Sequence, residues 1–350
     1  MITFTIAVMI YNVGKFLPMC IESIMVQEGQ DIEILLIDDG STDESGLICD
    51  RYSKMDSRIR VIHQKNRGVA ASRNVAIENA QGKWLIQVDG DDVLLEHAVE
   101  YGRKYIDDVC DWLQFDTVVF QNTVTENLWN PKGPEMIISG NNRKEFHLQL
   151  IDRTNPSLKY PTYNLNPAWG KIWNLNFIQK YKLRYDENIV KGEGTLFTFT
   201  ASYVMNKVKI IPLPIYGYRI NLESTMHRFS PDILKHQTEQ ISAYRKVVAL
   251  NNDNSNDIEI ALIKRGLYLI ENAVHLSIAH VKCSWSVVQQ YQWIKSLCAL
   301  EWVKKSVKYG CSIDSKNKIY EYIYKNDYIS IFVYSAYLRI KKKLKNIMNK

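Results

Sequence analysis

The sequence predicts an α/β protein, a mostly parallel sheet flanked by helices, with a helical C-terminal extension. Three observations carry that prediction. Through about the first ninety residues, short apolar runs alternate with helical patterns, the order expected of parallel strands joined by helices. The apolar runs end in polar residues or glycine turns. From Asp232 onward the pattern turns helical and polar, rich in Tyr, Lys and Asn.

The elements follow in order. The run TFTIAVMI (3–10) is apolar and β-branched and reads as the first strand. YNVGKFLPMCIESIMVQ (11–27) has helical periodicity through Phe16, Cys20, Ile24 and Met25. IEILLIDDG (32–40) is a second strand closed by acids and a glycine turn. In STDESGLICDRYSKMD (41–56), Ser41 or Asp43 is placed to cap a helix. IRVIHQ (59–64) is a third strand, GVAASRNVAIENAQG (68–82) a helix closed by Gly82, and KWLIQVDGDD (83–92) a fourth strand. Residues 111–160 mix aromatics with Asn and Pro and yield later strands and loops without detail. NNDNSND (251–257) reads as a loop between helices. A boundary is expected near 225–235, dividing the chain into residues 1–228 and a helical region, 229–350.

Composition bounds the function. The chain has 350 residues, 46% hydrophobic and 23% charged, the make-up of an ordinary folded protein with a sizeable core. It has no apolar run of eighteen residues, so no membrane-spanning helix is expected. MITFTIAVMIYN lacks a basic leader and reads as a strand, which predicts a cytoplasmic location. Six cysteines occur without CxxC spacing, against a zinc site or a disulfide framework. No GxGxxG follows the first strand, where IYNVGK stands, so a dinucleotide dehydrogenase is excluded. The net charge is +6, and the terminal RIKKKLKNIMNK carries six basic residues and no acid, which points to an anionic surface as partner. Nucleic acid is not the expected partner, because no binding motif is present and the central loops are acidic.

Those acids set the chemistry. In an open sheet of this type, ligands bind outside the carboxyl ends of the strands. Tyr11 and Asn12, Asp38 and Asp39, Asn66 to Gly68, and Asp89 to Asp92 all fall at those ends. Three carboxylates within four positions, Asp89, Asp91 and Asp92, repel one another unless something offsets them. A divalent cation does so, since Mn²⁺ and Mg²⁺ prefer oxygen ligands and keep positions open for phosphates.

The segments IEILLIDDGSTDESGLICDRYSKMDSRIRVIHQKNRGVAASRNVAIENAQGKWLIQVDGDD, WGKIWNLNFIQKYKLRYDENI and GEGTLFTFTASYVMNKVKIIPLPIYGYRINLESTM resemble bacterial family-2 glycosyltransferases of GT-A fold over roughly residues 1–228. The DDGSTD and DGDD pair carries most of that resemblance. It implies inverting transfer of a sugar from a nucleotide diphosphate donor, usually a UDP-sugar, to a hydroxyl. By similarity, Asp89 and Asp91 are the paired acids, Asp91 on the metal and Asp89 on the ribose or metal, with Asp92 a further candidate. Tyr11 and Asn12 lie where the base binds, with Asp39, or less readily Asp38, accepting from its imide. Arg73, with Arg67 a weaker candidate, is expected at the diphosphate. The family's base is the Asp of a Glu-Asp pair, but here GEGTLF places Gly194 after Glu193. Glu193, or a neighbour such as Asp186 or Glu187, then takes the role, or the chain keeps donor binding with little catalysis.

The resemblance also places Trp169 and Lys171, in NPAWGKIW, on the acceptor side, and makes His227 a candidate metal ligand or phosphate contact. Its implied acceptor is a glycan or glycolipid, such as a lipid-linked surface polysaccharide. In the tail, Tyr334, Tyr337, Leu338, Leu344 and Met348 lie near helical spacing with Arg339, Lys342, Lys343 and Lys345 mostly opposite. That composition predicts an interfacial helix and peripheral attachment at the inner face of the membrane.

Overall fold

The computed structural model describes residues 2–121, 133–152, 165–220, 228–314 and 316–348. The chain divides into two compact units, one of Met1–Leu150 with Asn155–Ile220, the other of Ile151–Thr154 with Asn221–Lys350.

The first unit begins with the expected alternation. Strand β1 (Phe4–Ile10) is followed by α1 (Leu17–Met25), β2 (Ile32–Asp38), α2 (Ser45–Ser53), β3 (Ile59–His63), α3 (Val69–Asn79) and β4 (Trp84–Asp89). Every residue of β1 and β2 is buried, as strands covered on both faces require. Helix α2 starts two residues after Asp43, whose Oδ1 accepts from the Ser45 amide at 2.9 Å, while the Ser41 hydroxyl accepts from the Asn12 amide instead. Gly82 does not end α3, which stops at Asn79. A Cβ there would lie 2.5 Å from the Thr5 amide nitrogen, so glycine is needed where the chain crosses β1.

After β4 come β5 (Val93–Leu94), α4 (Ala98–Tyr105), β6 (Trp112–Phe120), β7 (Met136–Ser139), α5 (Arg143–Ile151), β8 (Lys171–Asn174), α6 (Leu175–Lys180), α7 (Glu193–Val204) and β9 (Lys207–Arg219). The nine strands form one sheet in the order β3-β2-β1-β4-β8-β6-β9-β5, with β7 on β9. Strands β3, β2, β1 and β4 are parallel. Beyond β4 the pairings are antiparallel except β6 with β9, so the parallel character belongs to the first half.

The chain winds from β1 outward to β3 and then returns to the other side of β1 for β4. This reversal opens a crevice between neighbouring strand ends. The register pairs Ile10 with Asp38 and Met9 with Asp89, bringing the ends of β2, β1 and β4 to one edge.

The second unit is helical: α8 (Ile233–Leu250), α9 (Asn256–Leu276), α10 (Val287–Ala299), α11 (Glu301–Ile313), α12 (Lys318–Tyr324) and α13 (Tyr328–Met348). Ser255 caps α9, and Ser286 with Gln289 forms a capping box on α10. Its core gathers Ile270, Ile294, Leu297, Val303, Val307 and Ile331. Among the described residues, no helix is long and apolar enough to cross a membrane.

Candidate active site

The crevice is built from loops whose polar groups mostly serve one another. At the end of β1, Tyr11 is 49% exposed, while Asn12 adopts φ 51°, a left-handed conformation that Asn tolerates well. Its Oδ1 accepts from the amides of Thr42 (2.8 Å) and Asp43 (3.3 Å), and its own amide donates to Ser41 Oγ at 3.0 Å. Asn12 therefore shapes the 41–43 loop.

Asp38 and Asp39 are both buried. Asp38 accepts from the Ser41 amide (3.0 Å) and lies 2.9 Å from His63 Nδ1. Burial opposes its charge, but the hydrogen bonds from Ser41 and His63 prevail and hold the carboxyl below its usual range. Asp39 accepts from Gln64 Nε2 (2.7 Å) and from the amides of Arg67 (2.9 Å) and Gly68 (2.7 Å). Three of a carboxylate's roughly four acceptor positions are thus filled by the 64–68 loop.

The strongest electrostatic feature lies at the end of β4. Arg73, on α3, is buried, and its Nη2 lies 2.8 Å from Asp89 Oδ1 and 3.7 Å from Glu193 Oε1. Burial disfavours its charge, yet the two carboxylates more than offset that and keep the guanidinium protonated beyond its ordinary range. Among the described residues its Nε and Nη1 have no hydrogen-bond partner, and its face lies over the Tyr185 ring at 5.8 Å. Tyr185 is fixed by its hydroxyl on Gln87 (2.6 Å) and by stacking on Phe197 at 4.1 Å.

Glu193 occupies the first turn of α7, entered through Gly192 at φ 80°. Burial raises its carboxyl above the usual range, Arg73 pulls it down and Asp89 pushes it up again. The other candidate bases are engaged at the surface: Glu187 pairs with Arg67 (2.7 Å) and Asn74 (3.1 Å), and Asp186 Oδ1 accepts from the Asn188 amide (3.0 Å). Gly194 is packed, since a Cβ on it would lie 2.6 Å from the Ala168 amide nitrogen.

The three acids of the β4 loop separate. Asp92 is 1% exposed, and its oxygens accept from the Tyr216 hydroxyl (2.6 Å) and the Arg219 amide (2.7 Å). Burial first, then Asp89 and Asp91, push its carboxyl well above the usual range. Through these bonds Asp92 locks β9 to the end of β4. Arg219 closes the same lock, donating from Nε to the Asp91 carbonyl at 2.7 Å. Asp89 and Asp91 remain at the crevice edge, both partly exposed.

Trp169 and Lys171, expected on the acceptor side, are both buried. Trp169 stacks on Tyr216 (4.7 Å) and Tyr218 (5.3 Å) within the core. Lys171 is fully buried and its ammonium donates to the Pro167 carbonyl. Burial, then the charge of Arg73, lowers its pKa to about 7. His227 lies outside the described residues.

Residues 5–166 match the family described as Glycosyl transferase family 2. The chain is 30% identical over 243 residues to the Bacillus subtilis glycosyltransferase EpsJ, covering 68% of this chain and 67% of that one. It belongs to the family-2 glycosyltransferases. The chain is also 48% identical over 97 residues to the glycosyltransferase GlyG of Streptococcus pneumoniae, 27% of this chain but only 32% of GlyG. Its fold is that of S. aureus TarS 1–349, solved in complex with UDP-GlcNAc, at a TM-score of 0.63 and 18% identity over 98% of this chain and 92% of that one. The expected GT-A architecture is therefore the observed one.

The donor set suits a small divalent cation. Asp89 and Asp91 offer hard oxygen ligands at one strand end, and Mg²⁺ is typically held by one or two carboxylates with substrate phosphates and water. Among the described residues, no three His, Cys, Asp or Glu converge as a closed cage. Sequence reading missed Tyr185, Tyr216 and Arg219, whose partners lie 98 to 128 positions away in the chain.

Proposed function

We propose that this transferase moves a hexose from a nucleoside diphosphate sugar, with uridine as the nucleoside, to a hydroxyl of a growing, lipid-linked surface glycan, with inversion at the anomeric carbon. One observation carries the reading: Asp89, at the donor end of the crevice, and Glu193, at the start of α7, share the Arg73 guanidinium. Donor-side and acceptor-side carboxylates are thereby held together at one point.

In this reading Tyr11 stacks on the base and the remaining acceptor position of Asp39 meets its imide. Asp89 and Asp91 hold Mn²⁺ or Mg²⁺ with the diphosphate, and the bound cation supplies Lewis-acid stabilisation of the leaving group. Glu193 accepts the proton of the acceptor hydroxyl while its oxygen bonds to the anomeric carbon and the bond to the diphosphate breaks. Arg73 acts from behind, keeping Asp89 and Glu193 charged side by side. A carboxyl raised toward working pH suits a general base, being a stronger proton acceptor than an ordinary glutamate. The UDP-GlcNAc complex of TarS, on the same fold, supports uridine as the nucleoside.

A second reading, donor binding with feeble transfer, is favoured by Gly194, which leaves a single carboxylate in the first turn of α7. The two are separated by thermal stabilisation with UDP, GDP, CDP and ADP, each with Mn²⁺ and with EDTA, followed by turnover of the stabilising nucleotide's sugars. Stabilisation by UDP with Mn²⁺ together with turnover supports the first reading. Stabilisation without turnover supports the second, and absence of stabilisation by every nucleotide removes both.

A further inference from the structure

Helix α13 is apolar on two faces, and among the described residues only one packs into the helical unit. Ile331 and Ser335 are buried, and Tyr334 and Leu338 pack against the core of the helical unit. Tyr334 and Leu338, expected from sequence on a lipid-facing stripe, are thus committed inward. Arg339 also points to the body of the unit, where its Nη2 donates to the Ile278 carbonyl (2.6 Å) and to Gln290 Oε1 (2.7 Å). These contacts fix the rotation of α13 about its axis.

The opposite face carries Ile329, Val333, Tyr337, Ile340 and Leu344, each more than half exposed. At about 100° per residue these five side chains fall in an arc of roughly 80°. They form a continuous stripe along four turns, whereas isolated exposed apolar residues are ordinary and need no explanation. Lys341 and Lys343 are exposed and lie about 80° to either side of the stripe's centre by the same geometry. Lys345 extends the charge, and α13 contains no Asp or Glu. The side chain of Met348 lies outside the described residues.

We propose that this outer stripe of α13 docks on the surface of an anionic lipid bilayer, with its long axis in the plane of the interface. Charge placement selects this occupant. Lysines on both flanks of an apolar stripe let the side chains enter the acyl boundary while the ammonium groups reach up to lipid phosphates. A second copy of α13 laid against the stripe would bring a second acid-free row of lysines alongside the first. An anionic bilayer instead neutralises them. The proposal does not depend on the donor site.

Vesicle co-sedimentation with the full chain tests it, using phosphatidylcholine alone and phosphatidylcholine mixed with phosphatidylglycerol, at low and high salt. Binding is expected only to the anionic vesicles and should weaken as salt rises. The double variant Ile340→Asn/Leu344→Asn should lose binding by tenfold or more, and Lys341→Gln/Lys343→Gln by about fivefold for each lysine removed. Both variants alter exposed positions, so unchanged thermal unfolding and unchanged nucleotide stabilisation identify a surface effect. Equal binding to neutral and anionic vesicles, or full binding by the stripe variant, overturns the proposal. So does a wild-type dimer in light scattering that the stripe variant splits while neither protein binds vesicles, which would assign the stripe to a second copy.

Discussion

Gly194 and Ala168 approach so closely that a Cβ on the glycine would lie 2.6 Å from the alanine's amide nitrogen and 3.1 Å from its Cβ. The obstacle is backbone, which cannot swing aside as a side-chain end can. With Ala168 packed there, the position after Glu193 is closed to an aspartate in this chain, and the first turn of α7 carries one carboxylate. Gly194→Asp is expected to lower stability by about 1 to 3 kcal/mol, the usual cost of overpacking. It should also leave turnover no higher than wild type. Denaturant unfolding and donor turnover on the purified variant check both, and a more active Gly194→Asp would show that the missing aspartate, not the packing, limits this chain.

Arg73 is expected to set the pH at which Glu193 works. Its charge lowers a carboxyl that burial has raised, so its removal lets that carboxyl climb further. In Arg73→Met the acidic limb of the pH dependence of kcat should move to higher pH. Stability should fall by about 3 to 5 kcal/mol, because Asp89 and Glu193 are left facing each other without their shared cation. Arg73→Lys restores a charge but not the fork, and should recover the limb more than the stability. An unmoved limb in Arg73→Met would dissociate Arg73 from the base.

Asp91→Asn and Asp92→Asn should part company. Asp92 spends its oxygens on Tyr216 and Arg219, so Asn, nearly isosteric, should keep Mn²⁺-dependent nucleotide binding within about threefold, while Asp92→Ala strands two buried donors at roughly 1 to 3 kcal/mol each. Asp91→Asn should abolish that binding. Calorimetric titration of UDP with Mn²⁺ distinguishes them, and a reversed pattern would move the metal to Asp92.

The contrast between these two acids illustrates what the sequence could reveal. Strands β1, β2 and β4 were legible because their apolar runs are long and end in polar residues, acids in β2 and β4, and the crevice followed from their order. Asp89, Asp91 and Asp92 look alike by spacing, and only the packing of Tyr216 and Arg219 from β9 separates them. Trp169 and Lys171 show the same limit: spacing does not tell a buried aromatic and lysine beside a strand from exposed ones, and stacking on Tyr216 and the carbonyl of Pro167 hold both inside. In α13 the helical period was legible. Which of its two apolar faces is buried depends on Arg339 reaching Ile278 and Gln290, 61 and 49 positions away.

Glu193→Gln removes the proton acceptor while keeping the shape of the side chain and the loop that holds it. Nucleotide stabilisation with Mn²⁺ should therefore persist, and transfer should fall by a factor of about 100 to 10,000, the range that general-base catalysis contributes. Turnover equal to wild type would exclude Glu193 as the base.

Lys171 should leave a signature in stability against pH. Its ammonium has a pKa of about 7 in the folded chain against 10.5 for an ordinary lysine. The folded state thus binds fewer protons than the unfolded state between those values, and stability rises with pH across that window. Below about pH 7 the lysine is charged in both states but buried only in the folded one, so the cost of burying the charge is felt in full. That cost is on the order of 5 kcal/mol and is relieved progressively toward pH 10. Lys171→Met keeps the length of the side chain, loses the bond to Pro167 and carries no charge. Relative to wild type, it should be most favourable near pH 6.5 and lose that advantage steadily by pH 10. Urea unfolding of both proteins at pH 6.5, 8 and 9.5 measures the difference directly. A constant difference across the three would mean that Lys171 keeps its ordinary proton affinity, stabilised by a partner in the folded chain rather than suppressed by burial.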